Sequence, residues 1–284
     1  MDKILVTTDF SSNSKAGLRF AIQLATQHKY DLTFFHSYYI MKPTSWNDET
    51  SAAYEKVEAN KIQKKLNQFV ESVYKKIGIS SKNNKCIIKS SVYTDSNIKE
   101  YAQENKFNFI CISTRGSGTV RKIFGTTTSN LINHSTIPVL AIPHNYRVSK
   151  ITSILYSSDL VNLERELKNV VAFAKPLRAK VELLHFTSPL ETIIDSKIIQ
   201  NAVKKLSKYD ITLNIKNTDF IETLLANIKA AIKKTKPSMM IMFTQQNRSF
   251  FEKIFLSSKS AEYSFNAKVP LLVFNKSFNG EIKI

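Results

Sequence analysis

The chain repeats itself, and that repetition limits its fold more than any other feature. Lys3-Ile-Leu-Val-Thr-Thr-Asp-Phe10 is matched by Ser153-Ile-Leu-Tyr-Ser-Ser-Asp-Leu160. Leu32-Thr-Phe-Phe-His36 is matched by Val181-Glu-Leu-Leu-His185, and Lys122-Ile-Phe124 by Lys253-Ile-Phe255. Ile137-Pro-Val-Leu-Ala-Ile142 is matched by Val269-Pro-Leu-Leu-Val-Phe274. The order is the same in both halves, which points to a duplicated unit rather than one large domain. The separation between partners shrinks along the chain, so the second copy is the shorter. Pro143-His-Asn-Tyr-Arg-Val-Ser149 is polar, opens on proline and precedes the second copy's first strand. It divides a first domain, 1–146, from a second, 147–284.

Each half alternates strand and helix. In the first, continuous apolar runs predict strands near 3–8, 31–38, 85–92, 108–113 and 138–142, and periodic stretches predict helices near 12–28, 51–77, 95–105 and 126–134. Ser11, Ser12 and Asn13 ahead of Leu18, Ala21, Ile22, Leu24 and Ala25 read as a capped amphipathic helix. Strands that are apolar throughout suit a parallel sheet covered on both faces. The expected fold class is α/β: two tandem doubly wound, Rossmann-like domains, each with a five-stranded, mostly parallel sheet. Such sheets bind ligands beyond the carboxyl ends of their strands, where the strand order switches.

With 43% hydrophobic and 11% aromatic residues, the chain can bury two cores. It has no apolar run of roughly 18 residues, so no membrane span is expected. Asp2, Lys3 and Asp9 bracket a short strand-like run rather than a secretory signal. The two cysteines, Cys86 and Cys111, lie in expected strands as buried thiols; neither a disulfide framework nor a metal site is expected, and a reducing cytoplasm is the expected location. The net charge of +18 is spread over nearly every expected helix, without a block of five like charges. A solvated lysine surface is the expectation, and nucleic acid is not the expected partner.

The residues after the fourth strand carry most of the chemistry. Only six glycines occur in the chain, and Gly116, Gly118 and Gly125 fall together between Ile112 and Thr128. Glycine permits positive φ and close approach of backbone to a ligand. Gly125 is followed by Thr126, Thr127, Thr128 and then helical sequence, so free N–H groups and hydroxyls gather at a helix N-terminus that attracts phosphate. Arg115 and Lys122 supply positive charge to such a ligand. The bland alternative is a plain turn with Thr126 as cap. The loop matches neither a Walker loop nor a Rossmann fingerprint. Asp9, ending the first strand, either accepts a hydrogen bond from a ribose hydroxyl or adenine amine, or caps the next helix. His36 and His185, near the ends of the second strands, read as packing or hydrogen-bonding residues. Trp46 lies in the loop Met41–Thr50, which reads as a lid or partner surface, or as a segment packed locally on the second helix.

Ile4-Leu-Val-Thr-Thr-Asp-Phe-Ser11 resembles the opening of the universal stress protein family, usually Ile-Leu-Val-Pro-Thr-Asp-Phe-Ser. The loop resembles that family's nucleotide signature, Gly-x2-Gly-x9-Gly-Ser/Thr. It departs in two places: Ser113 stands where the first glycine is expected, and one residue fewer separates Gly116 from Gly125. The resemblance spans both halves and is specific at Ile4–Ala25 and Ile110–Pro143. It implies an adenine nucleotide (ATP, ADP or AMP), with magnesium optional, held by a sensor or regulator and not by a catalyst. By that analogy Thr7, Thr8 and Asp9 contact base and ribose, and Ser37 lines the adenine through its backbone. Ile112, Ser113 and Gly116 approach ribose and phosphates, with Arg115 beside them. Gly125, Thr126 and Thr127 hold the phosphates. The family also pairs domains through their last strands, which here implies an internal pseudo-dimer through 137–142 and 269–274 and leaves a homodimer open.

The matching stretch of the second copy, Met242 to Ser258, has no glycine, and Leu256 replaces the helix-start glycine. That copy is expected to be structural. Three alternatives stand beside the sensor: an interaction protein with a decayed site, a slow nucleotide hydrolase or phosphotransferase, and a polyanion-binding surface. Phosphoryl transfer needs a metal-holding carboxylate and a group to orient the nucleophile, and Asp9 is the evident acid near the loop.

Overall fold

A computed structural model describes residues 1–80, 84–114, 125–187, 199, 201, 209–217, 224–244 and 269–275. They form two compact units that meet between Val148 and Ser149. In the first unit the order is β1 (Lys3–Thr7), α1 (Lys15–Gln27), β2 (Asp31–Tyr38), α2 (Asp48–Ile77), β3 (Lys85–Ser90), α3 (Thr94–Glu104), β4 (Phe109–Ser113), α4 (Thr126–His134) and β5 (Val139–Ile142). Its sheet runs β3-β2-β1-β4-β5, with every pair parallel. The order reverses between β1 and β4, where Leu5 lies opposite Ile110. The carboxyl ends of these two strands are thus the switch point.

The second unit contains β6 (Ser153–Ser157), α5 (Leu163–Ala174), β7 (Lys180–Thr187), β8 (Ile211–Asn217), α6 (Leu224–Thr235), β9 (Met239–Thr244) and β10 (Leu271–Asn275). Its sheet runs β10-β9-β6-β7-β8, again parallel. Both units are doubly wound α/β folds, as the alternating pattern requires. Burial explains why their strands were readable. Ile4, Leu5 and Val6 are buried, as are Phe109, Ile110 and Cys111 and, in the second unit, Met239 to Met242. Each such aliphatic or aromatic side chain contributes about 1.5–3 kcal/mol.

The duplication extends to backbone that sequence cannot show. Phe10 and Leu160 both sit at φ 64°, and Lys106 and Lys236 at φ 54° and 48°. Non-glycine residues in this region cost of order 1 kcal/mol and persist only where neighbours hold them. The holding bonds are the same twice over. Phe10 N donates to Thr8 Oγ1 at 3.1 Å, and Leu160 N to Ser158 Oγ at 3.0 Å. Ser11 N donates to Asp9 Oδ1 at 3.0 Å, and Val161 N to Asp159 Oδ1 at 3.1 Å.

Two helix starts differ from the sequence expectation. Helix α1 begins at Lys15, not near 12, because the hydroxyls bond one another ahead of it. Ser14 N donates to Ser11 Oγ at 3.1 Å and Ser14 Oγ donates to Ser11 O at 2.8 Å, which closes a separate turn. Helix α2 begins earlier than expected, at Asp48, because Asn47 caps it by accepting from Thr50 N at 2.8 Å. Trp46 packs edge-on against Tyr54 of α2 at 5.1 Å, a local contact on the second helix. Cys86 and Cys111 are free thiols, and burial pushes Cys86 up to about 11. Among the described residues no cluster of His, Cys, Asp or Glu could hold a metal, and no helix is long and apolar enough to cross a membrane.

Candidate functional site

The site begins where β1 ends. Thr7 is buried and its hydroxyl donates to Cys111 O at 3.4 Å, tying β1 to β4. Thr8 N donates to Phe35 O at 3.0 Å. The Thr8 and Ser14 hydroxyls lie 2.8 Å apart. Ser14 spends its proton on Ser11 O, so Thr8 is the donor of that pair. The Thr8 side chain therefore shapes the turn and presents no free proton outward. Asp9 is exposed at the sheet edge, with Oδ1 on the Ser11 amide. That bond closes an Asx turn and does not cap α1.

Next to this turn His36 Nδ1 lies 2.8 Å from Thr8 O, and a carbonyl only accepts, so Nδ1 carries the proton. The Phe10 ring covers the imidazole at 4.1 Å and meets Phe69 of α2 edge-on at 5.6 Å. Lys65 Nζ sits over Phe10 at 4.6 Å and Lys15 Nζ over Phe69 at 5.1 Å. Burial lowers the His36 pKa below its usual 6.5, and Lys65 adds to this; the bond to Thr8 O and the charge of Asp9 pull the other way without prevailing. Unfolded chain therefore binds more protons than folded chain just below pH 6.5, so stability is full above that value and falls on acidification. Melting measured from pH 7.5 to 5 should decline less in His36→Gln than in the unsubstituted protein; equal declines would remove His36 from the account. Ser37, at the end of β2, accepts from Asn97 Nδ2 at 2.7 Å. The buried Asn97 also donates to Lys89 O at 3.0 Å, which fixes this corner.

Ser113 is the node of the site. Its side chain is buried, with Oγ donating to Asn13 O at 2.9 Å ahead of α1. Its carbonyl accepts from Thr128 Oγ1 of α4 at 3.1 Å. Gly125 N donates to Thr114 O at 2.8 Å, a second bolt between β4 and α4. Ser113 is not among the residues at positive φ. Serine in place of glycine thus costs the backbone nothing, and its side chain turns inward rather than into the space a ligand would use. Ile112 is half-buried beside it.

Helix α4 starts here, and among the described residues no side chain caps its first turn. Gly125 is the N-cap at φ −60°, ψ 160°, with no side-chain cap and no acid in the first turn. The amides of Thr126, Thr127 and Thr128 have no carbonyl four residues back within the helix. Thr126 is exposed and Thr127 half-buried. The extended backbone at Gly125 suits any residue. Among the described residues a Cβ there would meet only Thr114 O, at 3.9 Å. Glycine is among the residues favoured at a helix N-cap, and a helix start of this kind is also where an anion can seat. Arg115, Gly116, Gly118 and Lys122 lie outside the described residues.

Sequence reasoning passed over Gly17. A Cβ on it would stand 3.3 Å from Ser113 N and 3.5 Å from the Ile112 carbonyl carbon. A methyl there needs a shift of a few tenths of an ångström, and a larger side chain would push α1 off β4. The signal was available: glycine in mid-helix costs about 1 kcal/mol relative to alanine, and this chain uses few glycines.

The second unit keeps the turn and fills the space behind it. Ser158 N donates to Leu184 O at 3.0 Å and His185 Nδ1 lies 2.9 Å from Ser158 O, as in the first unit. Tyr156 replaces Val6 in the repeat and donates to Glu166 Oε2 at 2.6 Å, a pair buried where the first copy has Val6 and Ala16. Burial beside that carboxylate raises the Tyr156 pKa. Phe243 takes the place of Ser113 in the strand register. It stacks on Phe274 at 4.8 Å and meets Tyr156 edge-on at 5.9 Å. The stretch around Leu256 lies outside the described residues.

The model of the universal stress protein family matches residues 1–143. Among solved structures, a universal stress protein from Archaeoglobus fulgidus DSM 4304 is 16% identical, with 96% of this chain and 98% of that chain covered and a TM-score of 0.67. A functionally unknown protein from Pseudomonas aeruginosa PAO1 is 12% identical, with 97% and 92% covered and a TM-score of 0.58. A universal stress protein solved in complex with cAMP is 18% identical over 52% of this chain and 98% of that chain, with a TM-score of 0.33. No protein with a curated description matches.

Proposed function

Because the chain belongs to the universal stress protein family, we propose that its first unit binds an adenine nucleotide across the carboxyl ends of β1 and β4 and serves as a sensor or regulator. The observation that carries this reading is the start of α4, which no side chain caps among the described residues. Its amides and hydroxyls sit on a helix end of positive potential, bolted to Ser113 and Thr114 beside the Thr7–Asp9 edge. Gly125, Thr126 and Thr127 hold phosphate through N–H and O–H donors. Ile112, Ser113, Arg115 and Gly116 flank the ribose and phosphates. Thr7, Thr8 and Asp9 form the base and ribose edge, with the exposed Asp9 carboxylate as its outward acceptor, and the Ser37 backbone borders the adenine. Magnesium, where present, adds to the neutralisation of the phosphates.

Catalysis is not part of the proposal. Asp9 is assigned to holding the ligand, and the proton on His36 Nδ1 is committed to Thr8 O. The second unit is proposed as structural, because Phe243, Phe274 and Tyr156 fill the place corresponding to the Ser113 node. Calorimetric titration of the full chain with ATP, ADP and AMP, with and without magnesium, should give micromolar binding at one site per chain. Silence with all three nucleotides would favour an interaction protein with a decayed site. Turnover above background would favour a hydrolase.

We propose also that the two units pair within one chain through 137–142 and 269–274. Both runs are apolar, and an open apolar edge strand invites pairing. The bonds from β4 fall on Pro138 and Ile142, so the alternating amides of Val139 and Ala141 point away from β4. Those two amides should exchange hydrogen as slowly as central-strand amides if the pairing forms. Rapid exchange there would refute it.

A further inference from the structure

The first turns of α2 carry little of the packing that normally sustains a helix, and contacts with the unit gather only toward Ile62, Gln63 and Lys65. From Asp48 to Lys65 no residue is buried; burial starts only at Leu66 and continues at Val70 and Val73. Helices in water draw most of their stability from a packed face, so a segment this long with no buried residue is short of that support. The bare segment is also apolar in part. Val57 is 52% exposed, Tyr54 37% and Trp46 38%. Clustered exposed apolar side chains of this kind mark interaction surfaces.

The charges along the helix indicate what covers it. Between Asp48 and Ala59 stand four acids, Asp48, Glu49, Glu55 and Glu58, against the single Lys56, in a chain whose net charge is +18. The next turns hold Lys61, Lys64 and Lys65 and no acid before Glu71. Glu55 pairs with Lys42, and Glu58 with Lys61, through exposed bridges that are weak and open to exchange. A helix that is acidic in its first half and basic in its second complements an antiparallel copy of itself. The apolar pair Tyr54 and Val57 then lies near the centre of the contact.

We infer that the bare half of α2 is a self-association surface, on which a second copy of this chain docks its own α2 antiparallel across a twofold axis. Acidic turns of one helix lie on Lys61 and Lys64 of the other, and Tyr54 and Val57 close the middle. Such a contact is isologous and closed, which gives a dimer and not a filament. It is independent of the nucleotide reading and of pairing through the β5 edge.

Trp46 is the only tryptophan in the chain and lies against this surface, so the full-length protein carries its own reporter. Sedimentation velocity should show a monomer–dimer equilibrium with a blue shift of tryptophan emission as concentration rises. Raising salt from about 50 to about 500 mM should weaken it roughly tenfold, because the flanking pairs are screened. Val57→Lys, on an exposed helical face, should abolish association while leaving the far-ultraviolet circular dichroism intact. Glu55→Lys with Glu58→Lys, and separately Lys61→Glu with Lys64→Glu, should each impair self-association, and mixing the two variants should restore a dimer. A monomer at every concentration up to ~100 µM, a dimer untouched by Val57→Lys, or failure of the mixture to recover would overturn the inference.

Discussion

Replacing Gly125 by leucine should abolish nucleotide binding by the first unit and leave its melting temperature within a few degrees of the parent. The two halves of that expectation rest on different atoms. In the fold, φ −60° and ψ 160° suit leucine, and the nearest described atom to the new Cβ is Thr114 O at 3.9 Å. What is lost is a good N-cap residue, a cost of about 1 kcal/mol. In the complex, the isobutyl group would occupy the approach to the Thr126 and Thr127 amides. Charge-assisted bonds from those donors cannot form past it, and a loss of at least ~100-fold in affinity, about 2.7 kcal/mol, is expected. The second copy carries Leu256 at the corresponding sequence position, so the variant rewrites one copy toward the other. Titration and melting of the same sample provide the check, and unchanged affinity would remove the α4 start from the site.

Gly17→Leu should have the larger structural effect, destabilising the first unit by about 3 kcal/mol or more. The new side chain meets backbone, since Ser113 N is 3.3 Å from an ideal Cβ and the Ile112 carbonyl carbon 3.5 Å. Strand atoms cannot swing aside as a flexible side chain does. To make room, α1 must lift from β4, which breaks the Ser113 hydroxyl bond to Asn13 O. Gly17→Ala should be close to neutral, because one methyl needs a shift of only a few tenths of an ångström and alanine regains about 1 kcal/mol of helix propensity. Two units need not unfold together, so hydrogen exchange at the β4 amides is the suitable measure. Similar protection in the alanine and leucine variants would show that the close approach is not required. Leucine is tolerated at the matching position of the second unit, where Leu167 is buried. There Phe243 replaces Ser113 and the neighbouring side chains are rebuilt around it.

The strands were readable because a parallel sheet covered on both faces asks for unbroken apolar runs, and Ile4–Val6 and Phe109–Cys111 supply them. Helix α4 was readable from a glycine followed by three threonines. The start of α1 was not, because Ser11, Ser12 and Asn13 look like caps in one dimension, while in space Ser11 bonds to Ser14 and Ser14 to Thr8. The burial of the Ser113 side chain was equally hidden, since it depends on the approach of Asn13 from another element. Tyr156 and Glu166 lie ten residues apart in an ordinary strand–helix stretch; only packing brings their oxygens together. Asp9 offered two roles by sequence, and the geometry supplies a third, the Asx turn that holds Phe10.

The left-handed bend at Phe10 and Leu160 recurs with the same donors and acceptors in both units, although the second has lost its glycine loop. This bend is therefore common to both copies and does not by itself tell them apart. Transplanting Thr7 to Phe10 onto the second unit would change almost nothing, and a search for working copies in similar duplicated chains should weigh the residues standing at Gly17, Ser113 and Gly125 instead.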